Sequence, residues 1–389
     1  MALNYCFVCK KCNRTSHESH NTDVCSRCKR IKIEERSRYK FIVFIMIVMF
    51  FVFLWRSKLH AEEANIAFVG DINFTSDVAS SIDKNGNKWP FEKLGTLLSS
   101  ADFRVANLES PAGSGGAKYC PKTYYFKANP KYLDVLNAGG FNLVSLANNH
   151  CLDYGPNVLL QTEKELDKRK ILHMGVIHSS AEENQPVIVK IKGYTFGFLA
   201  YCNVCPEEFA PGSATAGVSV GTYALVARQI RALRPKVDFL IVVPHWGAEY
   251  FSADKNQKKL GKIMLEAGAD AIIGCHPHVL QQVVNTNPDI EGINNKIIVY
   301  SMGNFLFPMH WQVAMDSAVF WLRFSIDKGV KSVTIDTYPV SLTSHRPVDV
   351  SEAPGEHAEI TRARVGYITS NGYQYNNQRK WPVKGPWGD

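Results

Sequence analysis

Most of this chain has no charge excess. Residues 61–389 hold 32 Lys or Arg and 32 Asp or Glu, so the formal excess of +8 lies wholly in residues 1–60, where 12 basic side chains stand against 4 acidic ones. A balanced main region lacks the broad basic surface of a nucleic-acid binder, and no nucleic-acid partner is expected. No repeat of fixed period occurs, which excludes solenoid and propeller arrays. Gly113-Ser114-Gly115-Gly116 has no Lys-Ser/Thr ending, so it reads as a flexible loop rather than a phosphate-binding P-loop. No G-x-S-x-G elbow is found, which removes the usual sequence signature of an α/β-hydrolase serine nucleophile.

The basic N-terminal region carries two signals. Cys9-x-x-Cys12 and Cys25-x-x-Cys28 form paired knuckles, the pattern of a small zinc ribbon in which four thiolates hold one structural zinc. Cys6, His17 and His20 are alternative ligands at the same knuckles. Residues 41–55 are fifteen apolar residues without Gly or Pro. As a helix they span about 22 Å, short of a hydrocarbon core of about 30 Å, and Tyr39, Lys40, Arg56 and Lys58 extend the reach by sitting at the interfaces. A cleaved signal peptide is the rival reading, weakened by the long polar lead and by Leu59-His60-Ala61, a poor cleavage site. The basic excess on the N-terminal side predicts a single membrane crossing with the N-terminus in the cytoplasm and the main domain outside. The expected organisation is a cytoplasmic Cys-rich segment at 1–38, a signal-anchor at 39–58, a domain at 62–342, and a C-terminal tail at 343–389, some of which can wrap onto the domain.

Within the domain, short apolar runs rich in β-branched residues alternate with helical stretches. Helices are expected over 90–99, 130–138, 156–170 and 254–267. VIVKIKGYTFGFLAY reads as two strands turning at Lys192-Gly193, and AVFWLRFSI with SVTIDTYPV as a closing β pair. Alternation of this kind predicts a layered α/β sandwich.

Polar motifs follow the buried-strand runs directly. NIAFVG delivers Asp71, DFRVAN delivers Asn107 and Glu109, and FNLVSLA delivers Asn148-Asn149-His150. DFLIVVP delivers His245, and DAIIGC delivers His276-Pro277-His278. Ligands of α/β sheets collect at the carboxyl ends of strands, so these motifs are expected to converge. Neutral imidazoles with carboxylate and amide oxygens suit a divalent transition metal, or two. Gly303 permits a tight turn that aims Asn304 at the same sheet edge. Of the cysteines beyond the N-terminal cluster, Cys202-x-x-Cys205 can close a small disulfide, while Cys120, Cys151 and Cys275 have no assigned partner.

The ordered set GDIN, ANLES, SLANNHCLDYG, PHWGAEY, GCHPHVLQ and YSMGNF, over residues 65–310, resembles the CapA-type capsule synthesis family. That family is associated with poly-γ-glutamate and has a calcineurin-like metallophosphatase fold. The resemblance implies that the α/β sandwich is of the metallophosphatase type. It also implies metal ligands at Asp71, Asn107, Glu109, Asn149, His245, His276 and His278, holding one or two ions of Mn, Fe or Zn. The chain departs from the wider superfamily pattern at three places. Asn73 replaces a histidine, Asn107 and Glu109 compete for the bridging carboxylate role, and Cys151 stands where an acid is expected. Asp153 is then left to orient His150, the implied proton donor. Glu249 and Asn304 are placed behind the ligands, with Asn73. The implied role is a membrane-anchored component of capsule or poly-γ-glutamate synthesis, export or attachment. Its implied partners are the membrane, an anionic polymer or phosphoester, and other membrane-bound capsule synthesis subunits. Two alternatives stay open: an extracytoplasmic metal-dependent hydrolase of phosphoesters or γ-glutamyl amides, and a non-catalytic polyanion-binding protein.

Overall fold

The computed structural model describes residues 39–50, 62–286, 296–351 and 355–370. Two compact units divide the chain, residues 1–61 and 62–389. In the first, residues 39–50 form a helix, α1, with Phe41, Ile42, Phe44, Met46 and Phe50 exposed. Among the described residues no helix is long and apolar enough to cross a membrane. Residues 51–58 of the expected anchor, and Cys9, Cys12, Cys25 and Cys28 of the expected knuckle, lie outside the described residues.

The second unit is built on two main sheets. The first contains β1 (Ala64–Ile72), β2 (Phe103–Leu108), β3 (Leu143–Ser145) and β4 (Leu172–Met174), all parallel. β5 (Val176–Ile177) pairs only with β8 (Gly217–Val218), apart from both main sheets. The second main sheet contains β6 (Val187–Ile191), β7 (Tyr194–Cys202), β9 (Phe239–His245), β10 (Ala271–Ile273), β11 (Val283–Thr286) and β12 (Lys296–Val299) in the order β11-β12-β10-β9-β7-β6. β13 (Asn304–Leu306) returns to the first sheet and pairs with the end of β1. β14 (Asp316–Asp327), β15 (Val330–Thr343) and β16 (Arg346–Asp349) then extend that sheet antiparallel.

Side-chain alternation explains the layering. On β7, Phe196, Phe198, Ala200 and Cys202 join the large core shared with the first sheet, while Leu199 and Tyr201 face the other way. β9 repeats the split, with Phe239, Ile241 and Val243 inward and Leu240 and Val242 outward. The outward set is covered by α5 (Tyr223–Leu233) and α6 (Lys255–Ala267), through Val226, Ile230, Leu260 and Met264. On the first sheet, α2 (Ser76–Asn85), α3 (Asp134–Ala138) and α4 (Pro156–Lys168) contribute Val78, Ile82, Leu136, Leu159 and Leu166 to the core. Strands covered on both faces must be apolar throughout, which is why they read as unbroken runs. The layered α/β expectation therefore holds.

Local differences have local causes. The helix expected over 90–99 is instead a 3-10 turn at Trp89–Leu94, ended by Gly95 at φ 53°. The regular helix nearby is α2, which buries only Val78 and Ile82 and so lacks a sustained apolar period. The β6–β7 hairpin turns at Lys192 and Gly193 with both φ positive, as expected of a two-residue hairpin. Part of the stretch read as a tail packs on the domain: β16 joins the first sheet, and α7 (Gly355–Ser370) lies on β14 and β15 and places Val365 and Ile368 in the core. On α7, Arg364 pairs with buried Asp316 of β14. A disulfide joins Cys202 and Cys205; Cys120, Cys151 and Cys275 are free and buried.

Candidate metal centre

Strand register brings the first donors together. Asp71 lies level with Asn107 of β2 and with Asn304 of β13. That approach requires glycine: a Cβ on Gly70 would collide with the Gly303 carbonyl, and Gly303 itself has φ 68°. Glu109 follows β2 and donates its backbone N–H to the Ile72 carbonyl at 2.8 Å. From the other sheet, His245 ends β9 and His276 and His278 follow β10. His276 has φ 98° and His278 φ 57°, an uncommon backbone for any residue but glycine. Asp71, Asn107, Glu109, His245, His276, His278 and Asn304 are all buried.

Two donor sets overlap. One ligand atom each from Asp71, Glu109 and His245 lie within 4.8 Å of one another, and the same holds for Glu109, His276 and His278. Glu109 belongs to both and is the carboxylate placed to be shared. Asn149 adds an amide oxygen 2.8 Å from His245 Nε2. Asp71 Oδ2, Glu109 Oε1 and His276 Nδ1 are buried without a hydrogen-bond partner. Each such atom costs about 1–3 kcal/mol if left so. Buried, unpartnered oxygens and nitrogens converging at ligand spacing fit divalent transition metals.

The surrounding amides orient the set. Asn107 Nδ2 donates to Asp71 Oδ1 at 2.8 Å and to Glu109 Oε2 at 3.2 Å. In that orientation Asn107 positions both carboxylates, and Glu109 rather than Asn107 offers the free oxygen. Asn148, which heads the Asn148-Asn149-His150 motif but has no role assigned from the sequence, donates to Asn107 Oδ1 at 3.1 Å and to the Leu108 carbonyl at 2.8 Å. His278 Nδ1 lies 2.9 Å from Asn304 Oδ1 and 3.3 Å from Asp71 Oδ2, which leaves Nε2 as its ligand nitrogen, 3.6 Å from Glu109 Oε1. Asn304, rather than Glu249, is the residue bonded to a motif imidazole; Glu249 is exposed. Asn73 is buried, and its Oδ1 accepts from the Thr75 N–H and hydroxyl.

His150 stands beside the donors in a different setting. Its Nδ1 lies 2.7 Å from Asp153 Oδ2 and 3.2 Å from Lys122 Nζ; with the carboxylate as acceptor, Nδ1 carries the proton and Nε2 is left open. Asp153 also accepts from the Phe126 N–H at 2.7 Å and from Lys122 Nζ at 2.5 Å. Lys122 is a second residue the motifs did not reveal, since it lies in a stretch with no strand-end signature. Phe126 packs on the His150 ring, with centroids 4.2 Å apart.

Protonation separates the histidines. Burial pushes His245 and His276 well below the ordinary imidazole value, and neighbouring imidazoles add to the shift. His278 is also buried, but the Glu109 and Asp71 carboxylates outweigh burial and lift it to about 10. Glu109 is itself raised, by burial first and then by Asp71. Burial pushes His150 down, although Asp153 pulls it up.

Comparisons with known proteins cover most of the chain. The PGA biosynthesis protein CapA of Bacillus subtilis (strain 168) is 28% identical over 298 residues, covering 74% of this chain and 77% of the relative. The capsule biosynthesis protein CapA of Bacillus anthracis is 28% identical over 306 residues, covering 75% and 71%. Among solved structures, the NAD nucleotidase (NadN) of Haemophilus influenzae aligns at TM-score 0.43 and 15% identity, over 80% of this chain and 64% of that one. Residues 65–309, running from β1 through β13 and so through every donor of the centre, match the bacterial capsule synthesis protein family PGA_cap, and the chain belongs to that family.

Proposed function

We propose that this chain acts in poly-γ-glutamate capsule synthesis, export or attachment, through a buried centre that holds one or two divalent transition-metal ions. The observation that carries the reading is the pair of donor sets sharing Glu109, with unpartnered Asp71 and Glu109 oxygens between them. The names of the Bacillus relatives support the process, and an anionic polymer suits a cationic centre. Residues 39–58 are proposed to anchor the chain in the membrane, with residues 1–38 in the cytoplasm holding a zinc through Cys9, Cys12, Cys25 and Cys28. The basic excess before the apolar run supports that orientation. Other membrane-bound capsule synthesis subunits are the proposed partners.

A hydrolytic role is favoured by one specific feature, the His150–Asp153 pair. Ions held by Asp71, Glu109, Asn149, His245, His276 and His278 would supply Lewis acidity to a phosphoryl or amide oxygen. Asp153 holds His150 with Nδ1 protonated and Nε2 open. Because burial keeps the resting ring neutral, His150 accepts at Nε2 the proton of the attacking water, whose oxygen bonds to phosphorus or carbon, and returns that proton to the leaving group as its bond breaks. Lys122 secures Asp153, and Asn107 and Asn148 keep the carboxylates in place.

The test is a metal analysis of the full chain together with a turnover screen on poly-γ-glutamate, γ-glutamyl amides and phosphoesters. Bound Mn, Fe or Zn with turnover of one class supports the hydrolase. Bound metal and polymer binding without turnover leaves the assembly or polyanion-binding role. A chain that binds no metal in this centre overturns the reading.

A further inference from the structure

A second group of ligand-type side chains lies outside the buried centre. Asp77, in the first turn of α2, faces His310 of the 307–315 loop and His345 of the β15–β16 turn. One ligand atom from each lies within 4.8 Å of the others. His310 Nε2 is 3.4 Å and His345 Nε2 is 3.6 Å from the same oxygen, Asp77 Oδ2. We propose that Asp77, His310 and His345 form a surface site for a divalent transition metal of the zinc class, which fastens the 307–315 loop to α2 and to the β15–β16 turn.

The spacing is what a small tetrahedral ion requires. Imidazole nitrogen and carboxylate oxygen at about 2.0–2.2 Å from zinc stand about 3.3 Å from each other across a tetrahedral edge. Both observed N···O separations are close to that edge. Two histidines and one carboxylate form a ligand set that keeps a fourth position for water. Simple ion pairing accounts less well for the arrangement. Two imidazolium rings with centroids 4.7 Å apart on one carboxylate oxygen repel each other, whereas neutral rings sharing a cation do not. His345 has φ 67°, so the turn holds its ring towards Asp77 at a backbone cost.

The consequence reaches the buried centre. The loop carrying His310 also carries Phe307, whose ring centroid is 4.9 Å from that of His278, and Trp311, 4.8 Å from that of Tyr250. Tyr250 in turn faces His278 at 5.9 Å. Metal at the surface site thus restrains the aromatic groups packed around His278. This inference stands whether or not the chain turns over a substrate.

The test counts zinc bound by the full chain at equilibrium dialysis, in wild type, His310→Ala, Asp77→Asn, His276→Ala/His278→Ala, and the combination of His310→Ala with the latter pair. His310 is 76% exposed on its side chain, so its loss leaves packing intact. The expected result is one zinc fewer in His310→Ala and in Asp77→Asn, with the same further loss when the buried pair is also removed. A second reading is chymotryptic cleavage after Trp311, slowed by zinc in wild type but not in His310→Ala. Equal zinc counts in wild type and both single variants, or a deficit that vanishes once His276 and His278 are removed, overturns the proposal.

Discussion

The two sheets contribute different chemistry to one centre. The first supplies oxygen: Asp71 from β1, Glu109 after β2, the Asn149 amide after β3, and Asn304 from β13 as a support. The second supplies nitrogen: His245 from β9, and His276 and His278 after β10. Backbone differs in the same way. Asp71 and Asn107 are paired strand residues, although the β1 register shifts on both sides of Asp71, whereas His276 and His278 hold positive φ. Neither sheet has a complete ligand set, so an ion in the centre ties the sheets together. The carboxylates arrive at little conformational cost, and the imidazoles are turned into place against one.

The largest effect should come from a residue on the oxygen side that lies outside both donor sets. If the chain is a hydrolase, His150→Ala should cut turnover by about 10²–10⁴-fold, the usual worth of general acid–base catalysis. Metal content should stay nearly unchanged, as read by elemental analysis. Loss of metal together with activity would make His150 a ligand and blur the division.

Next is the contact by which the oxygen side orients the nitrogen side. Asn304→Ala removes the nearer acceptor for His278 Nδ1, leaving Asp71 Oδ2 at 3.3 Å, and should weaken metal affinity by about 10–100-fold. Competition with a chelator measures it. Unaltered affinity would mean that His278 needs no support from the first sheet.

Protons should report the same asymmetry. His245 and His276 are pushed down and have nothing to release, but Glu109 and His278, both pushed up, hold a proton between them at neutral pH. Metal must displace that proton, so affinity should rise with pH, by about tenfold per unit for one proton released. Calorimetric titration in buffers of different ionisation enthalpy counts the protons. No release near pH 7 would place the ion away from His278.

The smallest expected effect is on stability of the metal-free chain. His278→Gly should be more stable than His278→Ala by about 1 kcal/mol, because only glycine accepts positive φ freely. At Asp71, within a strand, the order should reverse, with Ala ahead of Gly by about 0.5–1 kcal/mol. Denaturant midpoints of the four variants decide it, and the same order at both positions would contradict the contrast between the sheets.

Much of this arrangement was legible from the chain. Short apolar runs followed by Asp, Asn, Glu or His marked the strand ends, since strands covered on both faces allow polar groups only where the sheet stops. Helix α2 was not legible, because Val78 and Ile82 are too few to give a period, and neither were Asn148 and Lys122 as supports. Their partners, Asn107 and Asp153, are 41 and 31 residues away. The sequence by itself determined which residue types stand at each strand end, because that depends on local burial and period. Only the tertiary structure decided that Glu109 lies in both donor sets, that Asn107 reaches Asp71 and Glu109, and that Asn304 rather than Glu249 lies against His278. It also brought Asp77, His310 and His345 together. Those outcomes depend on register between distant strands and on the direction of each side chain, which no spacing along the chain encodes.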